Sequence, residues 1–138
     1  MNILDKTKQQ LEAYPSVQFV YQKEVGFECL IVSPKFNSGY VVCLYLFEDG
    51  EYQLGADGCR YEMLDVKTEQ EMIDKFFCCL SKKSRLKIFQ GGGVKYFFEL
   101  QVNIRSRWIT EARVFDFQKY LTCFWKKRTL IIHQNDLL

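Results

Sequence analysis

Six cysteines and one histidine are the side chains of this 138-residue chain best suited to nucleophilic or metal chemistry: Cys29, Cys43, Cys59, Cys78, Cys79, Cys123 and His133. Tetrahedral zinc needs four Cys or His ligands, usually in closely spaced pairs, and the chain contains no C-x-x-C and only one His. Cys29, Cys43 and Cys59 fall in strand-like stretches, Cys78 and Cys79 are adjacent in a helical pattern, and Cys123 lies in another apolar run. That placement predicts reduced, buried thiols acting as small hydrophobes. A Cys59–His133 nucleophile pair stays open, because spatial neighbours cannot be read from spacing. No cofactor or metal is expected.

Three other patterns could do chemistry. Gly91-Gly92-Gly93 could cradle a phosphate, but a nucleotide loop leads from a strand into a helix, whereas this one leads into an alternating strand. A hairpin turn is the expectation. Carboxylates are dense between Glu48 and Asp74, nine against two cations, yet nothing marks a pair set apart for acid–base work. The basic clusters Lys82–Lys87, Arg105-Ser106-Arg107 and Lys126-Lys127-Arg128 could meet phosphates, with Phe89, Trp108 and Trp125 near enough to stack on bases. No recognition helix, zinc finger or ribonucleoprotein motif accompanies them.

The charge is split along the chain. Residues 1–74 hold thirteen Asp/Glu against six Lys/Arg, and residues 75–138 hold four against thirteen, for a net charge of only +2. Such a split bears on partners and steering rather than on fold. An acidic surface suits a basic protein, and a basic half suits nucleic acid. The longest apolar run, Tyr40–Phe47, has eight residues where a membrane helix needs about 20. The first residues carry no signal-peptide pattern, so the expected location is the cytosol. Membrane, secreted and fibrous classes are not expected.

The elements that must position these groups follow from periodicity. Ile3–Tyr14 predicts a helix with Ile3, Leu4, Thr7 and Leu11 on one stripe, closed by Pro15. Val17–Tyr21 and Phe27–Ser33 predict strands, the second with Phe27, Cys29 and Ile31 on one face and Glu28 on the other, and Tyr40–Phe47 predicts a central one because both its faces are apolar. Asp49-Gly50 marks a hairpin, followed by short strands over Tyr52–Gly55 and Gly58–Leu64. Thr68 and Glu71 form a capping box opening a helix that runs to about Ser81, with Met72, Ile73, Phe76, Cys79 and Leu80 inward. Arg85–Gln90 and Val94–Val102 predict a second hairpin, with Val94, Tyr96, Phe98 and Leu100 on the core face. Phe115–Trp125 reads either as a helix or as an aromatic-pinned loop, and Thr129–Gln134 as a last strand. The sum is one globular α+β domain over residues 1–138. Its sheet is mostly antiparallel, with an N-terminal helix and a well-capped central helix packed on it.

The order around Phe47-Glu48-Asp49-Gly50, Leu54–Glu62, the capped helix, the Gly-rich turn, Lys95–Leu100, Trp108 and Phe124–Arg128 resembles small immunity proteins encoded beside bacterial polymorphic toxins, of the contact-dependent inhibition and type VI secretion kinds. The resemblance implies a non-enzymatic protein that binds the C-terminal domain of one cognate toxin and blocks its active site or substrate path. It implies no small-molecule substrate and no membrane. Such families share no universal contact residues, so the candidate toxin-binding surface comes from charge alone: Asp49, Glu51, Tyr52, Asp57, Glu62, Asp65 and Glu69. Tyrosine beside acid fits an anchor within a charged patch. The alternative is a nucleic-acid-binding module using the basic C-terminal half.

Overall fold

A computed structural model describes residues 1–61 and 66–138. Helix α1 covers Ile3–Leu11 and is followed by strands β1 (Phe19–Glu24), β2 (Phe27–Val32), β3 (Val42–Phe47), β4 (Tyr52–Ala56) and β5 (Cys59–Tyr61). Helix α2 (Glu69–Leu80) leads into β6 (Ser84–Gly91), β7 (Val94–Ile104) and β8 (Arg107–Phe115), then the short α3 (Phe117–Leu121) and β9 (Arg128–His133). The class is α+β, and every strand pairing is antiparallel. The strands divide between two sheets, in the orders β1-β2-β3-β4-β5 and β8-β7-β6-β9.

Both long helices form where the sequence predicts them, and their stripes make the core. Ile3, Leu4 and Leu11 of α1 and Met72, Ile73, Phe76, Cys79 and Leu80 of α2 meet Leu30, Val42, Leu44 and Leu54 of the first sheet. The same core continues into Leu86, Ile88, Phe98 and Leu100 of the second sheet. Thr68 accepts the Glu71 amide at 3.2 Å, but the Glu71 carboxylate turns back to the Lys67 amide at 2.8 Å rather than to that of Thr68. The reciprocal half of the box is displaced by one residue. Asn2 and Asp5 complete a reciprocal box at the start of α1, so the orphan donors at both helix starts find acceptors.

Several details differ from the sequence reading. The first strand runs on to Glu24 and turns at Val25-Gly26, where Gly26 has a φ of +91°. In β2 the core face carries Leu30 and Val32, while Cys29 is buried on the opposite face across from Tyr45. Tyr96 is buried outside the main core, its ring 5.2 Å from Tyr120. The register shifts between Phe89 and Gln90, leaving Tyr96 without a partner in β6. Strand β8 is the largest addition to the predicted elements. Its turn, Arg105-Ser106, contains no glycine although both residues have positive φ (51° and 65°), so the usual hairpin signal is absent from the sequence. Of the two readings for Phe115–Trp125, a five-residue helix within an aromatic-pinned segment combines both.

Candidate binding surface

Among the described residues the acidic positions do not gather into one patch. Asp49 and Glu51 share the β3–β4 turn, where the Asp49 carboxylate accepts the Glu51 amide at 2.9 Å. Tyr52 opens β4 half-buried against the core. Asp57 lies at the other end of β4, about 17 Å away for a five-residue strand, and its carboxylate takes the Lys95 ammonium at 3.1 Å. Glu69, in the first turn of α2, pairs with Lys6 at 2.6 Å. Glu62 and Asp65 lie outside the described residues.

The hairpin end does collect carboxylates, one of them Glu69 of the candidate set. Glu24, Glu28, Glu48 and Glu69 line one cleft with Lys23, Phe27 and Phe47. The cause is topological: the β1–β2 and β3–β4 turns lie at the same end of the first sheet, and the Glu48 amide donates to the Gly26 carbonyl at 3.2 Å. A hairpin at Val25-Gly26 would have revealed this grouping from sequence. The hydroxyl of Tyr21 donates to Glu28 at 2.8 Å; that bond, ahead of desolvation, raises the tyrosine pKa.

A second uncovered surface lies on the second sheet. Facing away from the core, its cross-strand rows read Leu130–Phe89–Phe97–Phe115 and Ile132–Lys87–Glu99–Arg113. The rings of Phe89 and Phe97 stack at 5.2 Å, and Phe97 meets Phe115 edge-on at 5.7 Å. From Phe115 the contacts continue to Tyr120 at 5.4 Å, Phe124 at 5.9 Å and Trp125 at 5.3 Å. The aromatic run therefore passes from the middle of the sheet onto α3 and the segment after it. Phe117 and Trp125 are 60% and 65% exposed, an unusual cost for a surface that meets only water.

Below the aromatic row the face is polar and internally bonded. Arg85 donates to Gln101 at 2.7 Å, Gln101 to Thr110 at 3.1 Å, and Thr110 and Arg113 to Glu99 at 3.1 and 3.2 Å. The Arg85 guanidinium sits 4.2 Å over the Trp108 ring, and the Lys87 ammonium 5.5 Å from that of Phe89. These bonds fix long side chains before any partner arrives, which lowers the entropy lost on docking. Lys126, Lys127 and Arg128 adjoin the row through the pairing of Arg128 with Gly91, and they make no ion pair with a described carboxylate. Sequence reasoning finds Phe89, Trp108 and Trp125 beside cations. It misses Phe97 and Phe115, which join them only once β8 is in register with β7.

The triglycine segment is a hairpin turn. Gly92 and Gly93 have φ of +56° and +85°, and Gly91 lets the Cys123 backbone come so close that an added Cβ would lie 2.8 Å from its carbonyl oxygen. All six thiols are free. Burial raises the pKa of Cys29, Cys43 and Cys59, which opposes the thiolate a nucleophile needs. Cys59 lies on β5, whose neighbour in the second sheet is β8, whereas His133 lies on β9 at that sheet's far edge. The two do not form a pair. Among the described residues no cluster of His, Cys, Asp and Glu could hold a metal ion, and no helix is long and apolar enough to cross a membrane. The chain matches no family model, no curated protein and no solved structure.

Proposed function

We propose that this chain is a binding protein that neutralises a cognate toxin domain by occluding it, and that the outer face of the β8-β7-β6-β9 sheet is the surface that docks. The observation that carries this reading is the uncovered aromatic run from Phe89 through Phe115 to Trp125, bordered by Arg85, Lys87, Arg113 and Lys126–Arg128. Aromatic and arginine side chains are enriched at protein interfaces and supply most of their hot spots. The exposed aliphatics Leu130 and Ile132 extend the same face, which suits an apolar protein contact better than a base. The cationic rim calls for an acidic toxin surface, speeding encounter. Co-expression with the product of an adjacent reading frame, scored by complex isolation and growth rescue, tests the reading; no complex and no rescue would sink it.

A second reading, single-stranded nucleic acid on this face, has one observation in its favour. Phe89 and Phe97 sit opposite each other on the two central strands of a four-stranded sheet, close to Lys87, and aromatic platforms of that kind stack bases. Its signature is oligonucleotide affinity that falls steeply with salt.

A further inference from the structure

The second sheet ends in an unpaired strand. Among the described residues β9 pairs with β6 on one side and with no strand on the other, so one edge of Arg128–His133 presents its backbone donors and acceptors to solvent. Both Leu130 and Ile132, on the outer face of that edge, are nearly half exposed (48% and 46%). An apolar open edge invites another strand unless charge, proline or a bulge protects it. Here the nearest charges, Lys126, Lys127 and Arg128, precede the apolar stretch instead of interrupting it.

We infer that β9 is a dimerisation strand that pairs antiparallel with β9 of a second copy, joining two four-stranded sheets into one of eight strands. The side-chain pattern selects the register, since residues opposite each other across the two-fold axis must share a face. Centring the pair on Ile131 sets Leu130 of each copy against Ile132 of the other, on the outer face, and Thr129 against His133 on the inner face. The same register brings Arg128 to Gln134, where the ladder ends because the Gln134 amide already donates to the Ser38 carbonyl at 2.8 Å, and Asp136 stays paired with Lys82 at 3.4 Å. The two cationic triplets end up at opposite ends of a six-residue ladder, about 20 Å apart and beyond the screening length of physiological salt. Apolar thus meets apolar at the centre, and the cations stay apart at the ends.

The β1 edge of the first sheet does not self-match. Pairing β1 with itself sets Phe19 against Lys23 in one same-face register and Val20 against Glu24 in the other, a mismatch of the kind that discourages edge association. In addition, Tyr21 of β1 is tied to Glu28 and covered by the Lys8 ammonium at 3.9 Å. Of these two edges, β9 has the sequence that suits its own copy. The dimer would place both aromatic faces on the same side, doubling the surface proposed to dock the toxin.

Light scattering with size exclusion on the purified full chain, joined to a hydrogen-exchange dilution series, tests the inference. The expected result is twice the single-chain mass at micromolar concentration, with the amides of Leu130–Ile132 slowing as concentration rises. Ile132→Lys and, separately, Leu130→Gln should shift the dissociation constant upward by about 10- to 100-fold while the far-ultraviolet spectrum is unchanged. A single-chain mass at every concentration would overturn the inference. So would a dimer whose β9 amides exchange at the same rate on dilution, a reading that needs no variant to fold. Slow β9 amides that appear only in a toxin complex would also overturn it, by assigning the edge to the toxin.

Discussion

The side-chain amide of Asn135 lies against the backbone of Tyr40 as a third strand would: its oxygen accepts the Tyr40 amide at 3.0 Å and its nitrogen donates to the Tyr40 carbonyl at 3.0 Å. The same nitrogen donates to the Cys79 carbonyl at 3.0 Å. One buried asparagine thereby links the segment after β9, the approach to β3 and the end of α2. Asn135→Ala would leave three buried backbone groups unpaired, and the expected loss is about 2–4 kcal/mol in urea unfolding. Gly39→Ala should destabilise through the same contact, because a Cβ there would lie 2.5 Å from the Asn135 oxygen and 2.6 Å from Pro34.

The turn between β7 and β8 is strained by its residue types. Arg105 and Ser106 both hold positive φ, a conformation that Asn-Gly adopts at little cost. The double substitution Arg105→Asn, Ser106→Gly should raise stability by about 1 kcal/mol. It leaves the outer face intact, so toxin binding should not change. A lower denaturation midpoint would contradict the assigned turn.

Alkaline pH should destabilise the chain through its buried thiols, Cys79 above all. Burial, the largest cause, holds Cys79 neutral and pushes its pKa up to about 12, whereas an unfolded thiol ionises near pH 9 or slightly below. The native state therefore keeps a proton that the unfolded state sheds. This contribution is fully present below about pH 9 and is lost progressively as pH rises through about 12. Buried Tyr40 and Tyr61, also raised mainly by desolvation, steepen the fall at its upper end. Cys79→Ala should flatten the pH dependence of the urea midpoint while lowering it at neutral pH.

Thiol exposure gives a separate check on packing. Cys59 and Cys78 are half-buried, while Cys29, Cys43, Cys79 and Cys123 are buried. A thiol reagent at neutral pH should modify the first two ahead of the other four, with all six reacting in denaturant. Rapid uniform labelling in native buffer would contradict the described core.

The core stripes of α1 and α2 were legible because a buried helical face repeats at 3.6 residues whatever covers it. The halves of the strand pattern that failed share a different cause. In β2 both faces are apolar, so alternation alone could not tell Leu30 from Cys29, and β8 follows a turn made of Arg and Ser. The binding surface was least legible. Phe89, Phe97 and Phe115 are separated along the chain and become neighbours only through two cross-strand registers, each interrupted by a bulge. Of the acidic stretch, conspicuous as composition, Asp49 and Glu51 lie at one end of β4, Asp57 at the other and Glu69 on α2.

The proposal that the outer face of the second sheet docks the toxin is tested most directly by comparing two sets of surface variants in one binding titration with the toxin domain. Phe115→Ser and Trp125→Ser should weaken the complex by about 100-fold or more and abolish growth rescue while the chain stays folded. Asp49→Lys and Glu51→Lys, at the opposite charge pole, should bind and rescue like the unmodified chain. The reverse pattern, with aromatic variants bound tightly and acidic variants lost, would contradict the account and move the docking surface to the β3–β4 hairpin end.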